Sequence, residues 1–271
     1  VWHWKSRGIG GKSALDYLIY VEGVRFVDAV RLLCEESPAY TEPAHESIER
    51  ERPPFALPAA APNNDRIVQY LLGRGVSIPV ISYCMEQGIL YESTPYHNCV
   101  LVGKDENGQP KYAALRSTLG SPFKQDASGS DKRYSFRLLA KELTNTVHLF
   151  EAAIDLLSYA TYLKCEGKDY RTENLLSLSG VYQPKKELSE SKVPIALFTY
   201  LKENPQIKTV VLHLDNDKTG RLCTAALTEL LKKDYEIVDA PPPVGKDVND
   251  FLMSYLGLTK QKPVRERSDV R

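Results

Sequence analysis

The chain has 271 residues, 42% of them apolar and 26% charged, with 35 Lys plus Arg set against 35 Asp plus Glu. That composition is ordinary for a soluble globular protein with room for one large or two modest domains, and its zero net charge is not that of a dedicated nucleic-acid binder. No run approaches the ~18 apolar residues that cross a bilayer, and the five cysteines are scattered without a C-x-x-C pair, which argues against structural zinc or a disulfide framework and fits a reducing cytoplasm.

Taken in order, the chain opens at Val1 in what reads as the middle of a folded motif, without a signal-peptide pattern, as expected of a piece cut from a longer protein. Ser13 is placed to cap a helix beginning Ala14-Leu15-Asp16, and a second helix is expected around Phe26–Leu33. Residues 35–62 carry six Glu against Arg50 and Arg52, are rich in Pro and Ala, and lack a hydrophobic period; they read as a linker. Over 63–142 the pattern becomes α+β. A helix through Ile67–Leu72 ends at Gly73, a second through Val80–Met85 is closed by Gly88, and Asn98–Val102 and Lys111–Arg116 flank a polar turn in the manner of a hairpin. From Lys111 to Lys141 there are seven bases, Arg116, Lys132 and Arg133 among them, against Asp126 and Asp131, a local net of +5 that can steer phosphates. The tail 259–271 is polar and basic.

The chemistry concentrates in the last third. Val210–Leu214 is a continuous apolar run that suits a strand buried on both faces, and it leads directly into Asp215-Asn216-Asp217-Lys218-Thr219-Gly220. Alternation along a strand aims Asp215 and Asp217 the same way, and Gly220 is expected to allow the sharp turn into the helix that follows. Paired carboxylates at the C-terminal end of a parallel strand sit where open α/β sheets bind ligands, and they suit a divalent metal that handles phosphates. An EF-hand is a poor fit, since position twelve of the loop is Ala226 rather than Glu. The string D-x-D-x-T also resembles the haloacid-dehalogenase phosphatase motif with Asp215 as nucleophile, but too little chain follows to supply that family's other acids and its Lys. Two solvated acids at a strand end are the bland alternative. The pair is not isolated, however: Thr146–Phe150 is a second apolar strand ending in Glu151, with helical spacing through Ala152–Ala160.

A strand–Glu–helix unit followed by a strand–Asp-x-Asp–Gly–helix unit resembles the TOPRIM domain shared by bacterial primases, topoisomerases and some nucleases. Glu151 and Asp155 fall on the acids of the primase form E-G-[YF]-x-D, while Asp215, Asp217 and Gly220 match D-x-D-x-x-G. Leu176–Gly180 looks like the short strand and small-residue turn that primases carry between these motifs. Gly245-Lys246-Asp247-Val248-Asn249-Asp250-Phe251-Leu252 resembles their segment G-K-D-P-D-E-x-[LI]. The resemblance implies an α/β fold with a mostly parallel TOPRIM sheet over 143–258, preceded by the small subdomain at 63–142. In that family the arginine ending the hairpin's second strand faces the cleft, which nominates Arg116. Residues 1–34 resemble the back half of the primase zinc-binding domain, with Trp4 and Arg7 where its cysteines stand, so no zinc is expected there.

Further departures are Ala152 for the motif glycine and Asn216-Asp217-Lys218-Thr219 for the usual Gly-Asp-Arg-Ala. Together they resemble primase-like proteins of conjugative and other mobile elements. The implied function is Mg²⁺- or Mn²⁺-dependent nucleotidyl transfer on single-stranded DNA, with nucleotides as substrates and helicase or relaxase-type mobilisation proteins as partners. Asp215 and Asp217 would hold metal with help from Asp247 and Asp250. Glu151 would act as general acid or base or as a further ligand, and Arg116, Lys132, Arg133 and Lys246 would hold phosphates. A TOPRIM nuclease using the same acids and a non-catalytic DNA-binding or docking module are the alternatives.

Overall fold

The computed structural model describes residues 2–4, 9–35, 54–120, 123–180, 184–185, 187 and 191–258. Arg7, most of the expected linker and the basic tail lie outside the described residues. The chain divides into two units, 1–51 and 52–271.

The first unit pairs β1 (Trp2–Trp4) with β2 (Ile9–Gly11) in antiparallel register and continues into α1 (Ala14–Tyr20) and α2 (Phe26–Glu35). Ser13 caps α1: its Oγ accepts from Asp16 N at 3.2 Å, and Asp16 Oδ2 accepts from Ser13 N at 3.0 Å. This reciprocal capping box satisfies two donors that a helix start otherwise leaves without partners.

The second unit opens with residues of the expected linker that lie along a strand. Ala61 N donates to Glu92 O at 2.8 Å and the Tyr91 hydroxyl donates to Pro58 O at 2.6 Å. Helices α3 (Asp65–Leu72) and α4 (Ile78–Glu86) then lead into an antiparallel sheet of order β3-β4-β5-β6, with β3 at Leu90–Glu92, β4 at Cys99–Lys104, β5 at Pro110–Arg116 and β6 at Lys124–Asp126. Hairpin β4–β5 forms where the apolar runs flanking the polar turn predict it.

The remaining strands build a five-stranded sheet of order β11-β10-β8-β9-β7. Strands β8 (Thr146–Phe150), β9 (Asn174–Ser177), β10 (Thr209–His213) and β11 (Glu236–Asp239) are parallel, and β7 (Arg137–Leu138) pairs antiparallel with β9 at the edge. The expected α/β class with a mostly parallel sheet is therefore the observed one. β7, which sequence places in the preceding subdomain, belongs to this sheet by its pairing.

Helices cover both faces, so the central strands are buried on two sides and read as apolar runs. Val147, Leu149, Val210 and Leu212 pack with Leu197 of α6 (Ile195–Glu203) and Leu227 of α7 (Lys218–Leu231). Phe150 instead joins Leu156 and Leu157 of α5 (Ala153–Cys165) in a core continuous with Ile67, Leu71, Leu101 and Tyr112 of the small subdomain. One core thus spans subdomain and sheet and fixes the cleft between them. Polar groups inside it are paired: His148 Nδ1 and His213 Nε2 are 2.9 Å apart, and His213 Nδ1 lies 3.0 Å from Ala240 O. Burial pushes these imidazoles down to about 4 and about 3, so both are held neutral.

Candidate active site

Three loops at the C-terminal ends of the parallel strands supply the acids. Glu151 follows β8 directly. Its carbonyl accepts from Gly180 N at 2.9 Å, so the turn after β9 holds the strand end in place. Asp215 and Asp217 lie beyond the end of β10, in the loop into α7. Their convergence therefore comes from the loop and not from strand alternation, which is a correction to the sequence-based picture. Asp217 is the N-cap of α7 and its Oδ1 accepts from Gly220 N at 2.9 Å. That hydrogen bond is the main reason its carboxyl sits below the usual range.

The reason for glycine at 220 also differs from expectation. Gly220 lies inside α7, where a Cβ would stand 2.1 Å from Asp215 O. Close approach, not turn flexibility, excludes a side chain there.

The third loop carries Gly245, in the left-handed region at φ +86°, followed by Lys246 and by Asp247 as N-cap of α8 (Val248–Tyr255). Lys246 Nζ lies 3.0 Å from Asp215 Oδ2 and 3.2 Å from Asp217 Oδ2. Two carboxylate oxygens thus converge on one cationic atom, and hydrogen bonds to both raise the lysine well above its ordinary value. Glu151 adjoins Asp215. Burial first, then the charge of Asp215, pushes Glu151 up to about 7. Asp155 is more deeply enclosed. Its Oδ1 accepts from Asn249 N at 3.3 Å, and burial, with Asp247 and Asp215 nearby, pushes it up to about 8.

Asp247 and Asp250, expected as further metal ligands, each give one oxygen to the loop and first turn of α8. Asp247 Oδ1 accepts from Asp250 N at 2.7 Å, and the exposed Asp250 Oδ2 accepts from Lys246 N at 3.1 Å. Both carboxylates serve the first turn of α8. Among the described residues no three His, Cys, Asp or Glu side chains gather as a metal cage. The fit to Mg²⁺ or Mn²⁺ rests instead on the convergent hard oxygens of Asp215 and Asp217, with Glu151 adjoining. Such ions are commonly held by one or two carboxylates and complete their shell with water and phosphate.

Facing the acids, a cleft of about 740 Å³ is lined by Glu151, Asp155 and Asp247 on one wall and by Tyr70, Arg74, Arg116 and Lys124 on the other. Arg116 ends β5 and donates to Leu115 O at 2.9 Å. Arg74, between α3 and α4, donates to Asn249 Oδ1 at 3.1 Å, while Asn249 Nδ2 donates back to Arg74 O at 2.8 Å and to Ser158 Oγ at 3.0 Å. Among the described residues neither guanidinium forms an ion pair with a carboxylate, so both remain available to an anion.

Lys132 and Arg133 do not line this cleft. They sit on a short 3₁₀ turn where Lys132 pairs with Asp126 at 3.1 Å and Arg133 Nε donates to Asp131 Oδ2 at 2.8 Å. Sequence places Lys124 among the seven clustered bases and Arg74 in a Leu-x-x-Arg-Gly string, but nominates neither of them, nor Asn249, as a site residue. The available signal for Arg74 was its place beside Gly75, whose φ of +78° turns the chain between the two helices.

Residues 148–252 match the family model described as Toprim-like, and residues 69–142 match that of a protein family of unknown function (DUF3991). No curated protein matches the chain in sequence. Among solved structures, the primase fragment of the bacteriophage T7 primase-helicase is similar at 15% identity and TM-score 0.46, covering 69% of each chain. The Aquifex aeolicus primase comprising zinc-binding and RNA polymerase domains is similar at 17% identity and TM-score 0.46, over 91% of this chain and 68% of that one. The Escherichia coli primase catalytic core is similar at 15% identity and TM-score 0.47, over 70% and 69%. No described helix is long and apolar enough to cross a membrane.

Proposed function

We propose that this protein is a Mg²⁺-dependent DNA-processing enzyme that performs primase-like nucleotidyl transfer on single-stranded DNA. The observation that carries this reading is the convergence of Asp215 and Asp217 oxygens on one cationic atom, 3.0 and 3.2 Å away, beside a cleft walled by Arg74, Arg116 and Lys124. The Toprim-like match over 148–252 supports it, because it covers all three acid loops.

In this reading Asp215 and Asp217 hold the metal, which when bound neutralises charge on the transferring phosphate. Arg74, Arg116 and Lys124 hold the nucleotide or template phosphates across the cleft. Glu151, titrating near neutrality, takes the proton from the attacking 3′-hydroxyl as that oxygen bonds to the α-phosphorus and pyrophosphate leaves. Asp247 and Asp250 set the first turn of α8, which carries Asn249 to Arg74. The expected setting, replication or transfer of a mobile element with helicase or relaxase-type partners, rests on the motif departures at Ala152 and Asn216–Thr219.

The test is to incubate the protein with single-stranded DNA and Mg²⁺, with and without nucleoside triphosphates. Wild type is expected to build short chains only when nucleotides are present. The double variant Asp215→Asn with Asp217→Asn is expected to make none while keeping its circular dichroism and melting temperature. Shortening of DNA without nucleotides would replace transfer by nuclease chemistry. Full turnover by the double variant would remove the site.

A further inference from the structure

The position of Lys246 has a consequence for how metal enters. Its backbone is pinned twice: Lys246 O accepts from Asn216 N at 2.6 Å, between the two aspartates, and Lys246 N donates to Asp250 Oδ2 at 3.1 Å. Gly245 makes this possible, since a Cβ there would lie 2.5 Å from Asp250 Cβ. The side chain, by contrast, is 55% exposed and spans from this fixed anchor to both carboxylates. Each aspartate turns an Oδ2 to the ammonium, so both carboxylates are already engaged by a cation. An ammonium and a divalent cation a few ångströms apart repel strongly, so they cannot share these oxygens.

We propose that Lys246 is a built-in counter-cation of Asp215 and Asp217 that competes with the divalent metal for the two carboxylates and, once displaced, is handed to a phosphate of the incoming nucleotide. The inference rests on the reading of Asp215 and Asp217 as the metal-holding pair. The tethered backbone keeps the displaced ammonium beside the site, where a metal-bound phosphate would lie. A strongly hydrated ammonium on a flexible stem suits such an exchange better than a guanidinium locked in a fork. Metal alone is thereby disfavoured and metal together with a polyphosphate favoured, so that loading of the two is coupled.

The experiment is calorimetric titration of Mn²⁺ into the full chain for wild type, Lys246→Met, Lys218→Met and the Asp215→Asn/Asp217→Asn double variant, followed by titration of tripolyphosphate at saturating Mn²⁺. Lys218 is an exposed lysine next to Asp217 and controls for mere loss of a nearby charge. Lys246→Met is expected to bind Mn²⁺ about tenfold or more tightly than wild type, and Lys218→Met to differ by less than about threefold, because an exposed charge is screened by solvent and salt. With metal saturating, tripolyphosphate is expected to bind Lys246→Met about tenfold more weakly, having lost its charge-assisted partner. Opposite signs for metal and polyphosphate are the signature of the exchange.

Unchanged or weaker Mn²⁺ binding by Lys246→Met, or equal tightening in Lys218→Met, overturns the inference. So does unchanged tripolyphosphate binding. If Mn²⁺ binding is lost in the aspartate double variant but indifferent to Lys246, the metal site stands and only the exchange falls. If the double variant binds Mn²⁺ as wild type does, or wild type and Lys246→Met both bind none, the metal-site reading fails and takes this inference with it. Matching melting curves exclude a folding defect.

Discussion

The two walls of the cleft are built in opposite ways. The acidic wall, Glu151, Asp155 and Asp247, comes from the C-terminal ends of the parallel strands. With Asp215, Asp217 and Lys246 beside it, it forms a set of groups that lean on one another: Glu151 on Asp215, Asp215 and Asp217 on Lys246, Asp155 on the N–H of Asn249. The basic wall comes from a turn between two helices for Arg74 and from the paired strand ends of β5 and β6 for Arg116 and Lys124, and among the described residues its guanidiniums have no carboxylate partners. One wall is electrostatically crowded and the other underpaired. The difference teaches that acids are gathered where strand-end geometry allows convergence, while the cations, Arg116 and Lys124 opposite each other across β5 and β6 and Arg74 on its own turn, stay open to an external anion.

The comparison breaks most completely if the acids are neutralised. Asp215→Asn with Asp217→Asn is expected to lower Mg²⁺-dependent turnover by about 10³-fold or more with little change in fold, since an activating ion loses both its carboxylates. Next comes the opposite wall. Arg74→Ala is expected to weaken binding of single-stranded DNA or tripolyphosphate by about 10- to 100-fold, the loss for a charge-assisted contact. Mn²⁺ binding by Arg74→Ala is expected to stay within about threefold of wild type, because the acid wall is untouched. Fluorescence anisotropy of labelled DNA beside metal titration separates the two walls. Equal loss of both ligands would show that they are not independent.

Within the acid wall, environment divides residues of one chemical type. Asp217 is held ionised by Gly220 N, whereas Asp155 is pushed up to about 8, mainly by burial. A carboxyl raised in the folded state gives stability that is full below its ordinary range and is lost as pH climbs towards the folded value. The buried imidazoles act the other way, since their folded values of about 4 and about 3 lie below the ordinary one, and their contribution is lost as pH falls below about 6.5. Between pH 7 and 8 the carboxyl effect therefore dominates, with Asp155 its main source and Glu151, pushed up to about 7, a second one. Wild type is expected to lose about 2–4 °C in melting temperature over that interval, and Asp155→Asn to lose less than about half as much, the remainder coming from Glu151. Parallel melting curves for the two proteins would show that Asp155 ionises freely.

How far sequence reached follows the same division. The strand–Glu–helix and strand–Asp-x-Asp–helix units are legible because both faces of β8 and β10 are covered, which makes each a largely apolar run, broken by Thr and His only, that is followed within two residues by an acid. The parallel sheet followed from them, and the hairpin that ends in Arg116 followed from the apolar runs that flank its polar turn. What sequence did not show depends on long-range approach. Asn249 reaches Arg74 across 175 positions and lies in the first turn of a helix, where Asn reads as an ordinary polar residue. Gly220 reads as a turn glycine because nothing local reveals the Asp215 carbonyl 2.1 Å from its missing Cβ. The edge strand β7 is two residues long, too short to leave a period.

Lys132 and Arg133 gave a misleading signal of another kind. Seven bases in one stretch read as a single cationic surface, yet the 3₁₀ turn spends these two locally, on Asp126 and Asp131. They test how selective the basic wall is. Lys132→Ala removes a half-exposed side chain already paired with Asp126, and exposed ion pairs of this type contribute about 0–1 kcal/mol. Its effect on DNA or tripolyphosphate affinity is expected to stay below about threefold, against the far larger loss for Arg74→Ala. Salt dependence sharpens the contrast, because a lysine that contacts no phosphate leaves the slope of log affinity against log salt unchanged, whereas loss of one that does reduces it by about one unit. A slope reduced in Lys132→Ala would extend the nucleic-acid path from the cleft over the Ser179 carbonyl, towards which the Lys132 ammonium already points at 3.5 Å.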